Sequence, residues 1–335
     1  MNLSQMTSLK WWEGVALEAL WKVSLQAVAH SSTPTWPLSP EELKQVTVFW
    51  PSQYEWVPSR AWVEPIRRGF AEYVSIEQAS IAQPYSGIVL IRVRVRGITH
   101  DIAIDYSDYP NVNDECAGRC SLYFKMQFPV DRDTRENVLP GGFVPFRNDL
   151  YSFLPHVRHL ADQQRYLHDV YGRFGSEFGS EVRRNACSLL SDQDYFRWEG
   201  GLGVKRYSIS LQEIARSKVC IDLPGKGDFC FRLIDYMAVG ACIIARKHGS
   251  AMPVPLVDGV HVAYAKDDLS DLVDLCRFYL DKEEAREALR RNSREYFDRY
   301  LRRDQLASYY LHECMCIRRV VRVLPETGWK DSSPN

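Results

Sequence analysis

The chain has 335 residues, of which 45% are hydrophobic and 25% charged, and this composition excludes intrinsic disorder or a fibrous repeat as its main state. At about 150 residues per domain, the length predicts roughly two domains. The 42 basic and 43 acidic residues nearly cancel, so no global field would hold the protein on nucleic acid or on an anionic membrane. Nucleic acid is therefore not an expected partner.

The cysteines and the apolar runs of the sequence indicate the cellular location of the protein. Nine cysteines are an odd number, and those in apolar runs behave as small hydrophobic residues, so we predict reduced thiols and a cytoplasmic protein. Glu13 and Glu18 interrupt the first apolar stretch, which argues against a signal peptide. The longest run of apolar or glycine residues, 236–245, is too short for a membrane span, and none is expected.

The first part of the chain opens with a helix and continues into a proline-rich segment. Helical spacing of Leu17, Leu20 and Trp21 predicts an amphipathic helix. Six prolines between residues 34 and 65 fix the local backbone, and we therefore expect an irregular, strand-poor region around residues 46–50. Seven of the nine tryptophans precede residue 63. They are either a stacking surface for a sugar or base, or ordinary core.

The next segment predicts strands and then a domain boundary. Alternating β-branched residues predict a hairpin over 88–95 and 98–106 that turns at Arg96-Gly97, and a further strand over 122–128. The Gly/Pro stretch 140–145 predicts the interdomain linker. The predicted organisation is an N-terminal domain with mixed α/β structure over 1–148, a C-terminal domain over 149–318 and a tail over 319–335.

The C-terminal half alternates between strands and helices. Predicted strands lie at 168–174, 195–198, 218–223, 241–245 and 261–265, and predicted helices at 150–164, 181–190, 210–217, 229–239, 269–280 and 283–300. This alternation predicts a doubly wound parallel sheet with right-handed crossovers, which is a Rossmann-like domain.

The most informative segment is a glycine loop between a strand and a helix. A buried strand ends at Pro224, the loop Gly225-Lys226-Gly227 follows, and a helix opens near Asp228. Such a loop at the carboxyl end of a parallel strand lets backbone N–H groups and the helix dipole meet a phosphate, to which Lys226 would add a cation. The spacing matches neither a dinucleotide fingerprint nor a Walker loop. The alternative is a tight strand-to-helix turn, for which glycine is the default residue.

The residues after this loop resemble a known family. Phe231-Arg-Leu-Ile-Asp-Tyr-Met-Ala-Val-Gly240 and the preceding Arg216-Ser-Lys-Val-Cys220 are similar to the donor-binding domain of GT-B glycosyltransferases, in the group 1 and exostosin-like branches. The likeness spans roughly residues 166–300, and it departs from the family in having Asp235 where Glu is usual. It implies two Rossmann-like domains, an N-terminal domain for the acceptor and a C-terminal domain for a nucleotide-sugar donor. The acceptor itself stays unidentified.

The resemblance also implies roles for individual residues. Asp235 would accept hydrogen bonds from the ribose hydroxyls, and the Gly225-Lys226-Gly227 loop would cradle the diphosphate. Arg232, one helical turn before Asp235, would reach a phosphate or the sugar, and Arg173 would face the diphosphate unless it is a solvated surface charge. Lys226 would have a catalytic role, since fixed cations stabilise the charge that develops on the leaving diphosphate without a metal or cofactor.

An inverting enzyme needs a base to deprotonate the acceptor. Asp105 and Asp108 follow a predicted strand and are the candidate catalytic bases, with His100 a weaker one. Aspartates before a proline are also ordinary turn residues. Two Asp-x-Asp pairs, Asp131-Arg-Asp133 and Asp192-Gln-Asp194, match a metal motif, but as many pairs are expected by chance, so no metal is predicted. The rival functions are a non-catalytic nucleotide- or sugar-binding protein and a nucleic-acid-modifying glycosyltransferase.

Overall fold

The computed structural model describes residues 9–23, 33–131, 135–203 and 205–317. The N-terminal half builds a six-stranded sheet and the C-terminal half a five-stranded sheet, and helices cover both sheets. The predicted fold class, two Rossmann-like α/β domains of GT-B type, is confirmed. The predicted tail, 319–335, lies outside the described residues.

The first sheet is parallel except for one strand. Its strands are β1 (Val46–Pro51), β2 (Ser75–Ala79), β3 (Ile88–Val95), β4 (Ile98–Asp105), β5 (Leu122–Lys125) and β6 (Val138–Pro140), and its order is β2-β1-β3-β4-β5-β6. Only β3, among these six strands, runs antiparallel to its neighbours. The carboxyl ends of the other five strands therefore share one edge. The helices of this half are α2 (Pro40–Leu43), α3 (Arg60–Phe70) and α4 (Asp114–Arg119).

The expectation of a strand-poor region around residues 46–50 is wrong. This segment is β1, which pairs with β2 on one side and with β3 on the other. Val48 and Trp50 are buried in the core. The prolines lie at the end of the strand and in the segments around it, where they cost no ladder hydrogen bond. Proline content around a strand therefore masked the apolar alternation within it.

The predicted hairpin is confirmed. Strands β3 and β4 pair over their full length, from Ile88 opposite Asp105 to Val95 opposite Ile98. Arg96 and Gly97 turn the chain with φ of 50° and 82°. Two successive positive φ angles are the feature of the hairpin turns whose twist matches that of the strands.

The second sheet has the order β11-β10-β9-β7-β8 and is parallel throughout its described strands. These strands are β7 (His168–Phe174), β8 (Trp198–Leu202), β9 (Ser217–Asp222), β10 (Ile243–Arg246) and β11 (Ala263–Ala265). The helices are α5 (Leu150–Asp162), α6 (Ser180–Ser191), α7 (Tyr207–Ala215), α8 (Phe231–Val239), α9 (Leu272–Asp281) and α10 (Glu283–Tyr296), the last continued by a π-turn over Phe297–Leu301.

One predicted strand of this sheet is displaced along the chain. We expected a strand at 195–198, whereas β8 begins at Trp198 and includes Gly200 and Gly201. Glycine-rich strands are poorly visible in sequence patterns, because glycine adds neither β-branching nor alternation. The strand order is of the 2-1-3-4-5 kind, counted from β7, and its direction of winding reverses between β7 and β9.

The first and last helices of the described residues pack against the opposite half of the molecule. Helix α1 (Leu9–Val23) contacts α5 and α7, and helix α11 (Arg303–Cys316) packs along α3. The Tyr310 ring stacks on Phe124 of β5, and its hydroxyl donates to the carbonyl of Gly141 at 2.8 Å. The predicted boundary at 148/149 separates the two sheets, but both ends of the described chain cross it. No helix within the described ranges is both long and apolar enough to span a membrane.

Candidate functional site

The point at which the second sheet reverses its winding forms a crevice between the carboxyl ends of β7 and β9. Helix α6 leaves β7 toward one face and α8 leaves β9 toward the other, and ligands of doubly wound sheets bind in such crevices. Here the loop after β7 touches the loop after β9. A Cβ on Gly179 would lie 2.6 Å from the carbonyl oxygen of Pro224, so only glycine permits this approach.

A buried arginine, Arg183, and a half-buried one, Arg232, line this crevice. Arg183, on α6, donates to the carbonyls of Pro224 at 3.1 Å and Gly175 at 2.8 Å, which pins the two loops together. Arg232, on α8, donates to Asp222 Oδ1 and to the carbonyl of Leu223. Both guanidinium groups lie over the ring of Phe174, at 5.9 and 4.8 Å from its centroid.

The charge of this cluster is not balanced. Asp222 pairs with Arg232, and no ion pair to Arg183 exists within the described part of the chain. Burial lowers the pKa of Arg183, and the neighbouring charge of Arg232 lowers it further. The crevice thus has a surplus of positive charge. Sequence reasoning identified Arg232 but missed Arg183, since an arginine in the Val-Arg-Arg run of α6 has the appearance of a solvated helix face.

Two helix N-termini point to the same crevice. Helix α6 starts after Gly179, which has φ of 62°, and α8 starts after Cys230. At neither N-cap residue does a side chain accept a hydrogen bond from an N–H group of the first turn. The first backbone N–H groups of a helix lack partners within the helix and, together with its dipole, favour an anion. With the arginines, the crevice has the features of an anion-binding site.

The predicted Gly225-Lys226-Gly227 loop lies at the mouth of the crevice. The Gly225 N–H donates to the Gly227 carbonyl at 3.0 Å, so the loop is a tight turn. The Lys226 ammonium lies 4.5 Å from the ring centroid of Tyr109 and 5.7 Å from that of Phe178. Its pKa is raised, first by a hydrogen bond with Tyr109. Tyr109 follows β4 in the first domain and Phe178 follows β7 in the second, so Lys226 bridges both sides of the interdomain cleft.

Gln127 holds this loop from the first domain. Its side-chain amide donates from Nε2 to the carbonyl of Phe229 at 2.9 Å and accepts from the Phe229 N–H at 3.1 Å. The segment after Gln127 continues along the edge of the second sheet. There the Ala251 N–H donates to the carbonyl of Phe128 at 2.8 Å, and Pro129 forms a β-bridge with Ser250. Sequence reasoning found no signal for this clamp, because a single buried Gln after a strand has no characteristic pattern.

The two candidate bases have different environments. The Asp105 carboxylate is buried, lies 3.0 Å from the Lys125 ammonium, and accepts from Tyr123 and from the Ser107 N–H. Asp108 is half-buried, and no described residue hydrogen-bonds to its carboxylate. Burial raises the pKa of Asp108, against the opposing charges of Lys226 and Lys125. Asp108 thus lies at the cleft with free acceptor oxygens, whereas Asp105 is engaged in a closed network.

The structure places Arg173 and Asp235 apart from the anion-binding cluster. The Arg173 guanidinium pairs with Glu199 and with Glu213 at 3.5 Å, although its backbone carbonyl accepts from Arg232. Asp235 is buried, and its Oδ1 accepts from the Tyr207 hydroxyl at 2.8 Å. Burial raises the pKa of Asp235 to about 7, although the hydrogen bond from Tyr207 opposes the shift. Their donor-binding roles stay predictions.

The tryptophan cluster divides between core and cleft. Trp21 and Trp50 are buried. Trp56 and Trp62 instead both stack on Tyr106, which follows β4 at the cleft edge, with ring centroids 6.4 and 5.9 Å away. Trp62 also contacts Phe231 of α8 at 4.2 Å, across the domain junction. The cleft therefore has an aromatic wall of Trp56, Tyr106, Trp62 and Phe231.

The remaining candidates lie away from the crevice. His100 is near the amino end of β4, where its Nδ1 contacts Ser121 Oγ at 3.1 Å. Asp192 is the C-cap residue of α6, at the end of that helix that lies far from the crevice, and its carboxylate accepts a hydrogen bond from Ser188. Asp131 is exposed, and Asp133 lies outside the described residues. Within the described ranges, no three His, Cys, Asp or Glu side chains are grouped closely enough to hold a metal ion.

Comparison with known proteins agrees with this description of the second domain. Residues 180–311 match the family model described as glycosyl transferase-like. The structure is similar to the C-terminal domain of a glycosyl transferase group 1 family protein from Francisella tularensis, at 11% identity and a TM-score of 0.33, over 42% of this chain and 90% of that one. It is also similar to the wall teichoic acid polymerase TagF, at 11% identity and a TM-score of 0.30, over 94% of this chain and 98% of that one. No curated protein matches at a significant level.

The family match includes α6 and α8, which carry Arg183 and Arg232. Residues 180–311 are thus similar to the glycosyl transferase-like family, and the predicted resemblance is confirmed. Because both TM-scores lie below 0.5, the fold assignment depends on the strand order and direction of the two sheets.

Proposed function

We propose that the protein is a glycosyltransferase that moves a sugar from a nucleotide-diphosphate-sugar to an acceptor hydroxyl in the interdomain cleft. The observation that carries this proposal is the unbalanced positive charge of Arg183 and Arg232 at the switch point between β7 and β9, where two uncapped helices also begin. A diphosphate has the charge and oxygen atoms that such a site binds. The match of residues 180–311 to the glycosyl transferase-like family supports the same function.

The site suits the departure of a diphosphate. As the glycosidic bond breaks, negative charge develops on the leaving oxygen, and preorganised cations and N–H groups stabilise it. Lys226 is held at the mouth of the crevice by aromatic rings from both domains, so it is available to the diphosphate in the closed cleft. On the facing side, Asp108 is the proposed general base, since it is half-buried at the cleft and burial raises its pKa.

Ligand screening and turnover test the proposal in two steps. Nucleoside diphosphates should raise the melting temperature of the protein, because a ligand that binds only the folded state stabilises it. Nucleoside monophosphates should raise the melting temperature less. A nucleotide-sugar should then be converted to free nucleoside diphosphate in the presence of an acceptor mixture. Absence of both effects would contradict the proposed function. Binding without turnover would instead favour a non-catalytic sugar- or nucleotide-binding protein.

Lys226→Ala should lower kcat by a larger factor than it raises KM for the donor. The reason is that its charge is proposed to act on the leaving group, and an interaction made mainly in the transition state changes kcat. Steady-state kinetics with varied donor measure both constants. Lys44→Ala is the matched control, since Lys44 is an exposed lysine of the first domain that pairs only loosely with Glu41, at 4.0 Å. An effect confined to KM would reduce Lys226 to a positioning residue.

Activity should survive excess EDTA, because the crevice offers fixed cations for the charge that a metal would otherwise neutralise. The double variant Asp131→Asn with Asp133→Asn should change the rate by less than about threefold. Transfer rates before and after chelation measure the first effect, with added magnesium or manganese as the control. If chelation abolishes the activity and a divalent cation restores it, the metal-independent mechanism is wrong.

A further inference from the structure

A second basic site lies on the first domain, along one side of α3. The side chains of α3, the linker after β6 and the first residue of α11 enclose a groove of about 460 Å³. Four arginines line this groove: Arg60, Arg68, Arg147 and Arg303. The two carboxylates that line it are Glu64 and Asp149. The lining therefore has a surplus of two positive charges.

Both carboxylates already have arginine partners. Glu64 accepts from Arg67 and Arg68, with each of the three bonds at 2.9 Å. Burial raises the pKa of Glu64, but these hydrogen bonds outweigh it and lower the pKa to about 2. Asp149 accepts from Arg147. The carboxylates are thus ionised and engaged, and they do not neutralise the remaining guanidinium charge.

Arg60 and Arg303, which line the groove, have more N–H donors than their ion pairs use. A guanidinium has five N–H donors in a planar fork. Arg60 uses one nitrogen in a long contact of 3.7 Å to Glu64, and its side chain is 65% exposed. Arg303 donates from Nε to Glu72 at 2.9 Å. A planar fork binds phosphate or carboxylate oxygens in pairs, and several forks around one groove suit an oxyanion with three terminal oxygens.

The groove continues toward the cleft through apolar side chains. Val57 and Phe146 line it and are 75% and 53% exposed, which is high for large apolar residues. Phe146 contacts Phe231 with ring centroids 5.7 Å apart, and Phe231 belongs to the aromatic wall of the cleft. A ligand whose anionic group lies among the arginines can thus extend an apolar or sugar-like body past Phe146 to the candidate active site.

We infer that this groove binds a phosphate monoester group of the acceptor. The inference rests on the proposed function, because it assigns the ligand to the acceptor side of the transfer reaction. The negative charge of a phosphate monoester matches the surplus of two positive charges. The exposed Val57 and Phe146 would contact the rest of the acceptor molecule. The site is distinct from the donor crevice, whose cations are Arg183, Arg232 and Lys226.

Titration calorimetry with phenyl phosphate on the full chain tests this inference. Arg60→Gln and Arg147→Gln should each weaken binding by about fivefold or more, as loss of a charged hydrogen bond does. The matched control is Arg119→Gln, because Arg119 is likewise an exposed helical arginine paired with a glutamate four residues away. Arg119→Gln should leave phenyl phosphate binding unchanged. The neutral analogue phenol should not bind.

The outcomes separate the inference from the proposed function. If phenyl phosphate does not bind while nucleoside diphosphates do, the groove inference is wrong and the donor site stands. If Lys226→Ala weakens phenyl phosphate binding and Arg60→Gln does not, the phosphate binds in the crevice, which also overturns the inference. If Arg60→Gln and Arg147→Gln weaken binding but no nucleotide binds, the groove is an anion site and the proposed transfer reaction fails.

Discussion

Asp108→Asn is expected to lower kcat by about 10²–10⁴-fold, the range that a positioned general base contributes. The Asp108 carboxylate is half-buried at the cleft, and no described residue engages it by a hydrogen bond. Asn preserves the shape and the turn-forming capacity of this residue but cannot accept a proton. Transfer rates at saturating donor and acceptor measure the effect, and donor affinity should stay unchanged.

A pH profile makes this prediction specific. Burial raises the pKa of Asp108, so the acid limb of the wild-type profile should lie above the usual range of an aspartate and should disappear in Asp108→Asn. Asp101→Asn is the matched control, because Asp101 is an exposed aspartate of β4 that pairs with Arg92. If Asp108→Asn retains both the rate and the acid limb, Asp108 is not the base.

Asp105→Ala is expected to destabilise the folded protein by about 3–5 kcal/mol, since it leaves Lys125 as a buried charge without its partner. The Lys125 side chain is 0% exposed and that of Asp105 is 2% exposed. The pKa of Lys125 is lowered by burial and held up by Asp105, so removing the carboxylate removes the group that keeps the lysine charged. Urea unfolding of the variant and the wild type measures the difference.

Two further variants separate stability from catalysis at this position. The double replacement Asp105→Leu with Lys125→Met should restore most of the lost stability, because a buried ion pair can be exchanged for apolar residues of similar volume at little cost. Its Michaelis constant for the donor should stay near that of the wild type. An Asp105→Asn protein of unchanged stability that has lost transfer activity would return Asp105 to the role of base.

The sequence predicted best those features that depend on the residues of one local segment. The alternation of strands and helices in the C-terminal half predicted the parallel sheet, and the Gly225-Lys226-Gly227 segment predicted a loop at its carboxyl edge. Asp235 shows the limit. The sequence pattern predicted its helix and its spacing from Arg232. The burial of its carboxylate against Tyr207 depends on the packing of α7, which no local sequence pattern predicts. Gln127 and Arg183 were missed for the same reason, since each acts through backbone carbonyls of distant loops.

The first and last described helices each pack on the opposite half of the molecule, and this arrangement has a mechanical consequence. The two sheets are joined by the linker after β6, by the segment between α1 and β1, and by the passage from the π-turn into α11. Three covalent connections between the two halves limit their independent movement. At the edge that carries Lys226, hydrogen bonds of Gln127 with Phe229 and of Ala251 with Phe128 also join the two halves. We expect that opening the cleft to a substrate requires these hydrogen bonds to break.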